Sequence, residues 1–231
     1  MDIEELLLSD EVEYVGRIVS SSNHALLVKF TKDDYSVFGI YKPVNFERPL
    51  WDFEPGLYKR EYLAFVSASL MNFDVVPVTV IRDDLQYGTG SVQHFLNNVN
   101  YYDYFEAVEQ SQFQIKLFSV AIMDLIINNA DRKAGHVLVT DDNRLYAIDN
   151  GLSFNIAPKL HTVIWEFINE ELTEEAKVGI RNFVDSFENH AEDLLTKDEI
   201  DKTLNRADAL LDLGRFPNVS QEDRSYPWPI Y

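Results

Sequence analysis

Short apolar runs broken by polar turns fill the first third of the chain: VGRIVSSS, HALLVKF, then TKDD, then SVFGIYKPV. That rhythm predicts strands joined by hairpins and a small antiparallel sheet. After WDFEPG the period changes. In LYKREYLAFVSASLM, residues Tyr58, Tyr62, Phe65, Val66 and Leu70 recur at intervals of three and four, which predicts a helix with one apolar face, its start marked by Pro55 and Gly56. VVPVTVIRDD then reads as a strand crossing Pro77 and GTGSVQHFL as another after a Gly-punctuated turn, giving about five strands around one helix. From Tyr102 the pattern turns helical. FQIKLFSVAIMDLIINN is apolar on every side and predicts a buried central helix ending at the polar cluster NNADRKAGH. Two short strands, HVLVT and LYAID, follow around a turn at Asp141, Asp142 and Asn143. Two amphipathic helices come next, the second with a Thr196/Glu199 capping box and a stop at Gly214. The last stretch, NVSQEDRSYPWPIY, has two prolines and no period, so it is an extended segment that either stays free or docks through Tyr226, Trp228 and Tyr231.

This pattern describes an α+β chain with a strand-rich first part and a helical second part. The expected division is 1–98 for the first lobe with a hinge near 92–96, 99–217 for the second, and 218–231 for the extended segment. At 231 residues and 46% hydrophobic, the chain buries a sizeable core without disulfides. Its charge narrows the partners. Twenty Lys and Arg against 39 Asp and Glu give a net charge of −19, which repels nucleic-acid phosphates and anionic lipid headgroups. The chain has no Cys, which removes thiol chemistry and Cys-ligated zinc, and its amino terminus lacks a basic, apolar leader pattern. The expectation is a cytoplasmic chain without stable membrane association.

Candidate chemistry concentrates in NNADRKAGHVLVTDDNRLYAIDNGLSF. Pairing Leu138 with Tyr146 brings His136 and Asp149 to the same end of a β-ribbon, with Asp131 beside them. A hard cation such as Mg²⁺ takes one or two protein carboxylates and completes its shell with phosphate oxygens, so this sparse set suits a nucleotide site. Taken singly, Asp131 reads equally well as a turn cap and Asp149 as a strand end. Upstream, Lys42 ends a strand and Glu61 sits on the following helix, the pairing by which protein kinases hold ATP phosphates; an ordinary surface ion pair has the same spacing. The polar hairpin with Ser20, Ser21, Ser22 and Asn23 offers amides and hydroxyls to phosphate oxygens, without the Gly-rich signature.

Taken together, these parts resemble the phosphatidylinositol 3-/4-kinase-like branch of the protein-kinase superfamily. YKPVNFERP is similar to a KP-x-x-E-x-P segment of type II phosphatidylinositol 4-kinases, AIDNGLSF to their metal-binding IDNGLAF, and DRKAGH to the D-R-x-x-x-N catalytic loop. VVPVTVI and GSVQHF are similar to their next two strands. A narrower, mostly actinobacterial family of phosphatidylinositol 3-/4-kinase-like and HipA-like proteins resembles the chain more widely, through SSSNHALL, YKPVNFERPLWDFEPG, NNADRKAGHVL, KLHTVIWEF and the PWP segment. The resemblance implies a two-lobed kinase-like fold, a small antiparallel sheet with one helix above a mainly helical lobe, binding ATP with Mg²⁺ or Mn²⁺. It implies that Lys42 contacts ATP phosphates, Glu61 orients Lys42, Asp131 serves the attacking hydroxyl and Asp149 is the principal metal ligand. Ser21, Ser22 and Asn23 fall at the phosphate loop, and Gln93, His94 and Phe95 at the adenine-binding hinge. His136 stands where the family has a second metal-binding Asn, and imidazole prefers softer metals than Mg²⁺. Two functions follow: phosphotransfer from ATP to a hydroxyl of a protein or soluble small molecule, or a nucleotide-binding pseudokinase that acts as a partner-binding module.

Overall fold

The computed structural model describes residues 2–18, 24–100 and 102–231. Strands β1 (Glu11–Arg17), β2 (Leu26–Lys32), β3 (Tyr35–Pro43), β4 (Thr79–Arg82) and β5 (Gly90–His94) form one antiparallel sheet in the order β1-β2-β3-β5-β4. Alternation along β2 and β3 gives each face a separate job. Val28, Phe30, Val37 and Tyr41 join Val92 and Val80 in a small core, closed from outside by Leu6 and Leu7 of the short helix α1 (Ile3–Leu7). On the other face, Leu27 pairs with Ile40 and Lys42 with Ser91; Leu27, Ile40 and Lys42 are only half-buried. That face looks into a cleft. Gly90 permits the register that places Lys42, because a Cβ there would lie 2.4 Å from the Lys42 carbonyl oxygen.

Helix α2 (Leu57–Leu70) lies between β3 and β4 in sequence, yet its Leu63, Ala64 and Ala68 belong to the core of the helical part. Its first turn is capped from a distance, by the Glu47 carboxylate accepting from the Gly56 amide (2.8 Å) and the Tyr58 amide (3.2 Å). Nine residues lie between Glu47 and Leu57, so no local capping pattern marks it. The helical part comprises α3 (Tyr104–Val108), α4 (Gln114–Ile127), α5 (Glu174–Ala191) and α6 (Lys197–Leu213), with a ribbon of β6 (Val137–Val139) and β7 (Leu145–Ala147). As its composition predicts, α4 is the central helix, burying Leu117, Val120, Met123, Ile126 and Ile127. Buried within it is one carboxylate, Asp124. The expected Thr196/Glu199 box opens α6, and Gly214 closes it in a left-handed conformation.

Helix α5 packs against the end of α2 at Gly179, where a Cβ would fall 2.2 Å from the Met71 carbonyl oxygen. Backbone cannot yield there as a flexible side chain would. Gly179→Ala is expected to destabilise the fold by about 1–3 kcal/mol, read from the urea midpoint at unchanged slope. A midpoint equal to wild type would show that the two helices are not held at this separation.

Residues 218–231 dock and do not hang free. Pro227 is buried and Ile230 packs on the larger core, while Trp228 is 90% exposed. Of the three aromatics expected to anchor the segment, Tyr231 does so, with its ring 5.7 Å from Phe105. Trp228 points outward instead, and Pro227 and Ile230 supply the buried surface. No helix among the described residues is long and apolar enough to cross a membrane.

Candidate active site

The cleft face of β3 presents Lys42 to two carboxylates at once. Its ammonium bonds Glu61 of α2 and, at 2.8 Å, Oδ1 of Asp149, which follows β7. Burial opposes the charged lysine, but the adjoining Asp149 and Glu61 charges outweigh it and hold the Lys42 pKa well above its ordinary value. The same lysine holds Asp149 far below the usual carboxylate range, whereas burial pushes Glu61 up. Asp149 has φ 56°, a left-handed backbone that a non-glycine residue adopts at a cost. Its side chain is still 46% exposed and opens into the cleft.

Opposite Lys42, the other Asp149 oxygen lies 3.4 Å from Nε2 of His136. The second ring nitrogen, Nδ1, is 2.9 Å from the Asp131 carbonyl oxygen, a contact that requires the proton on Nδ1. Nε2 therefore faces Asp149 with a lone pair. Burial pushes the ring down to about 4, so His136 is neutral throughout the range in which an exposed histidine titrates. A neutral imidazole whose far nitrogen bonds a backbone carbonyl, set against a carboxylate, is a donor pair suited to a divalent cation. Among the described residues no cluster of three or more His, Cys, Asp or Glu side chains occurs that could hold a metal ion.

Asp131 stands on the loop after α4, its carboxylate 3.0 Å from the Lys133 ammonium and 23% exposed. Burial raises its pKa, and Lys133 works against that rise. What aims this loop is a buried network built on Arg132 and Asn150, which lie inside the DRKAGH and AIDNGLSF segments, and on Asp124 and Asn129, which lie outside them. The fully buried Arg132 guanidinium bonds both Asp124 oxygens (2.8 and 2.9 Å), the Ile148 carbonyl (2.7 Å) and the Asn150 side chain. Asn129 donates to Asp124 and accepts the Asp131 amide, each at 2.9 Å. Asn150 in turn gives its backbone amide to Glu61 (3.1 Å). An unbroken path thus runs from Lys42 through Glu61, Asn150 and Arg132 to Asp124 in α4.

Lys42, Glu61, Asp149 and His136 are thus joined at one place, with Asp131 held there by its own carbonyl. The expected hinge residues lie on the sheet's edge of the cleft: Gln93 turns its amide to Thr79 (3.0 Å), and the His94 and Phe95 amides bond the Val78 and Phe38 carbonyls. Ser21, Ser22 and Asn23 lie outside the described residues. Two open cavities, of about 530 and 640 Å³, flank the site without including Lys42, Asp131 or Asp149.

The family model for phosphatidylinositol 3- and 4-kinase matches residues 57–203, from the start of α2 into α6. The chain belongs to this family. Lys42 and the first three strands lie outside the matched span, and it is the fold that brings them over it. Protein Rv2133c of Mycobacterium tuberculosis is 31% identical, covering all of this chain and 96% of its own length. The crystal structure of the Helicobacter pylori proinflammatory kinase CtkA matches at a TM-score of 0.50 and 8% identity, over 89% of this chain and 92% of that one. At that identity the likeness concerns the kinase-like fold alone.

Proposed function

We propose that this kinase-family chain transfers the γ-phosphoryl group of ATP to a hydroxyl acceptor, with Mg²⁺ or Mn²⁺. The observation that carries the reading is Lys42, held simultaneously by Glu61 and Asp149 at the mouth of the cleft that Asp131 and His136 line. Asp149 and His136 would hold the cation, which when bound screens the phosphate charge. Lys42 supports the phosphates from the sheet side. The half-buried Leu27 and Ile40 give the adenine ring an apolar ceiling, with Gln93, His94 and Phe95 at its edge as the hinge. Asp131 accepts the proton of the attacking hydroxyl, and Lys133 adds positive charge beside it. The pseudokinase reading has less support, because the imidazole in place of the family's Asn keeps a donor facing Asp149.

For the acceptor, a protein or soluble small molecule in the cytoplasm fits better than a lipid. A chain at −19 with no span-length helix among its described residues has little to hold it on an anionic bilayer. Incubation with γ-labelled ATP and Mg²⁺ or Mn²⁺ is expected to label the chain itself or a lysate component and not phosphatidylinositol vesicles. A labelled phosphoinositide would reverse the acceptor assignment, and no labelled product under any condition would remove the transferase.

A further inference from the structure

The loop bearing Asp131 is not self-sufficient. Its amide at Ala134, a residue with no exposed surface, finds its partner outside the loop, in the Ile230 carbonyl at 2.9 Å. The adjoining stretch behaves alike. Residues 161–163 lie beside the catalytic loop through the Arg132 amide to the His161 carbonyl (2.9 Å) and the Val163 amide to the Arg132 carbonyl (3.1 Å). Between those two contacts, the amide of buried Thr162 donates to the Ser225 carbonyl at 3.1 Å. Two buried amides on adjacent segments thus depend on carbonyls five residues apart in one extended segment. Buried amides without partners are costly, so these bonds restrain both segments.

We propose that residues 225–231 are a clasp that positions the catalytic loop and the adjoining residues 161–163 for transfer. The proposal rests on the phosphotransfer reading for its consequence, though not for the restraint itself. Pro227 and Pro229 each fix φ, which lowers the freedom lost when the clasp seats, and Ile230 and Tyr231 anchor its end against the core and Phe105. An autoinhibitory plug is the other role a docked segment plays at a kinase site. Here the Asp131 and Asp149 side chains remain 23% and 46% exposed with the clasp in place, so it supports the loop from behind and leaves the carboxylates open.

The test compares the full chain with one lacking residues 225–231, and with the milder Tyr231→Ala. In the deletion, amide hydrogen exchange at Ala134 and Thr162 should accelerate about tenfold or more, while the Phe154 amide, bonded to Ile127, stays protected. Turnover of γ-labelled ATP should fall about tenfold, with KM for ATP within about threefold, and a synthetic peptide of residues 219–231 should restore it. Tyr231→Ala should show both effects to a smaller degree, which keeps the inference testable if the shortened chain does not fold. Unchanged exchange at Ala134 and Thr162 would overturn the clasp, as would unchanged turnover alongside faster exchange. If the full chain neither binds nor turns over ATP, the phosphotransfer reading fails instead, and exchange alone decides whether the loop is clasped.

Discussion

Asp131→Asn is expected to keep its affinity for ATP with Mg²⁺ within about threefold and to lose about 10²- to 10⁴-fold in turnover, the range for removing a general base. Asp149→Asn should behave differently. It removes the one carboxylate that joins Lys42 to His136, so cation-dependent binding itself should disappear. The contrast follows from position: one carboxylate lies by Lys133, where the proposal puts the acceptor, and the other lies between Lys42 and His136, where it puts the phosphates. Parallel calorimetric titrations and single-turnover measurements separate the two variants. Equal loss of binding in both would show that the two carboxylates do not divide the work this way.

The second large effect concerns stability. Arg132 and Asp124 are an ion pair with no exposed surface, and Arg132→Met leaves the Asp124 charge uncompensated in the core of α4. Breaking such a pair from one side costs about 3–5 kcal/mol, far more than the pair adds over a well-packed apolar substitute. For a chain of this size that lowers the thermal midpoint by about 10 °C. Replacing both partners, Arg132→Met with Asp124→Leu, should recover part of the loss because no buried charge remains. It should not recover turnover, since Arg132 also ties the Ile148 carbonyl and Asn150 to the catalytic loop. A midpoint within about 2 °C of wild type for Arg132→Met would mean that solvent or another cation compensates Asp124.

The strand–helix rhythm was legible because each element is decided locally. Alternation in β2 and β3, the all-round apolar surface of α4 and the caps of α6 depend on neighbours a few residues away. The candidate residues were legible for another reason: Lys42, Glu61, Asp131, His136 and Asp149 sit in short segments whose order and spacing resemble those of a family. Less legible were the residues that aim them. Asp124 reads as one polar interruption in an apolar helix and Asn129 as loop polarity, while Arg132 and Asn150, though inside family-like segments, carry no role that the spacing reveals. Their meaning comes from contacts with distant positions, such as Arg132 with Asn150, 18 positions away, and Asn150 with Glu61, 89 positions away. A carboxylate in a helix that is otherwise apolar was the one usable signal, since it requires a buried partner. The clasp was invisible for the same reason. Its contacts with the loops are made by backbone carbonyls, which every residue carries.

Charge decides what the site can accept. Two lysines, Lys42 and Lys133, stand among three carboxylates, Glu61, Asp131 and Asp149, so the cleft has no surplus positive charge for a polyphosphate. On the proposed reading, a divalent cation would supply it. The most direct measurement is therefore an isothermal titration of ATP into the full chain with Mg²⁺, with Mn²⁺ and with chelator. Saturable binding with either cation and none with chelator is the predicted result. Equal binding in chelator, or no binding in any of the three, would contradict the account of this cleft as the seat of metal-dependent phosphotransfer.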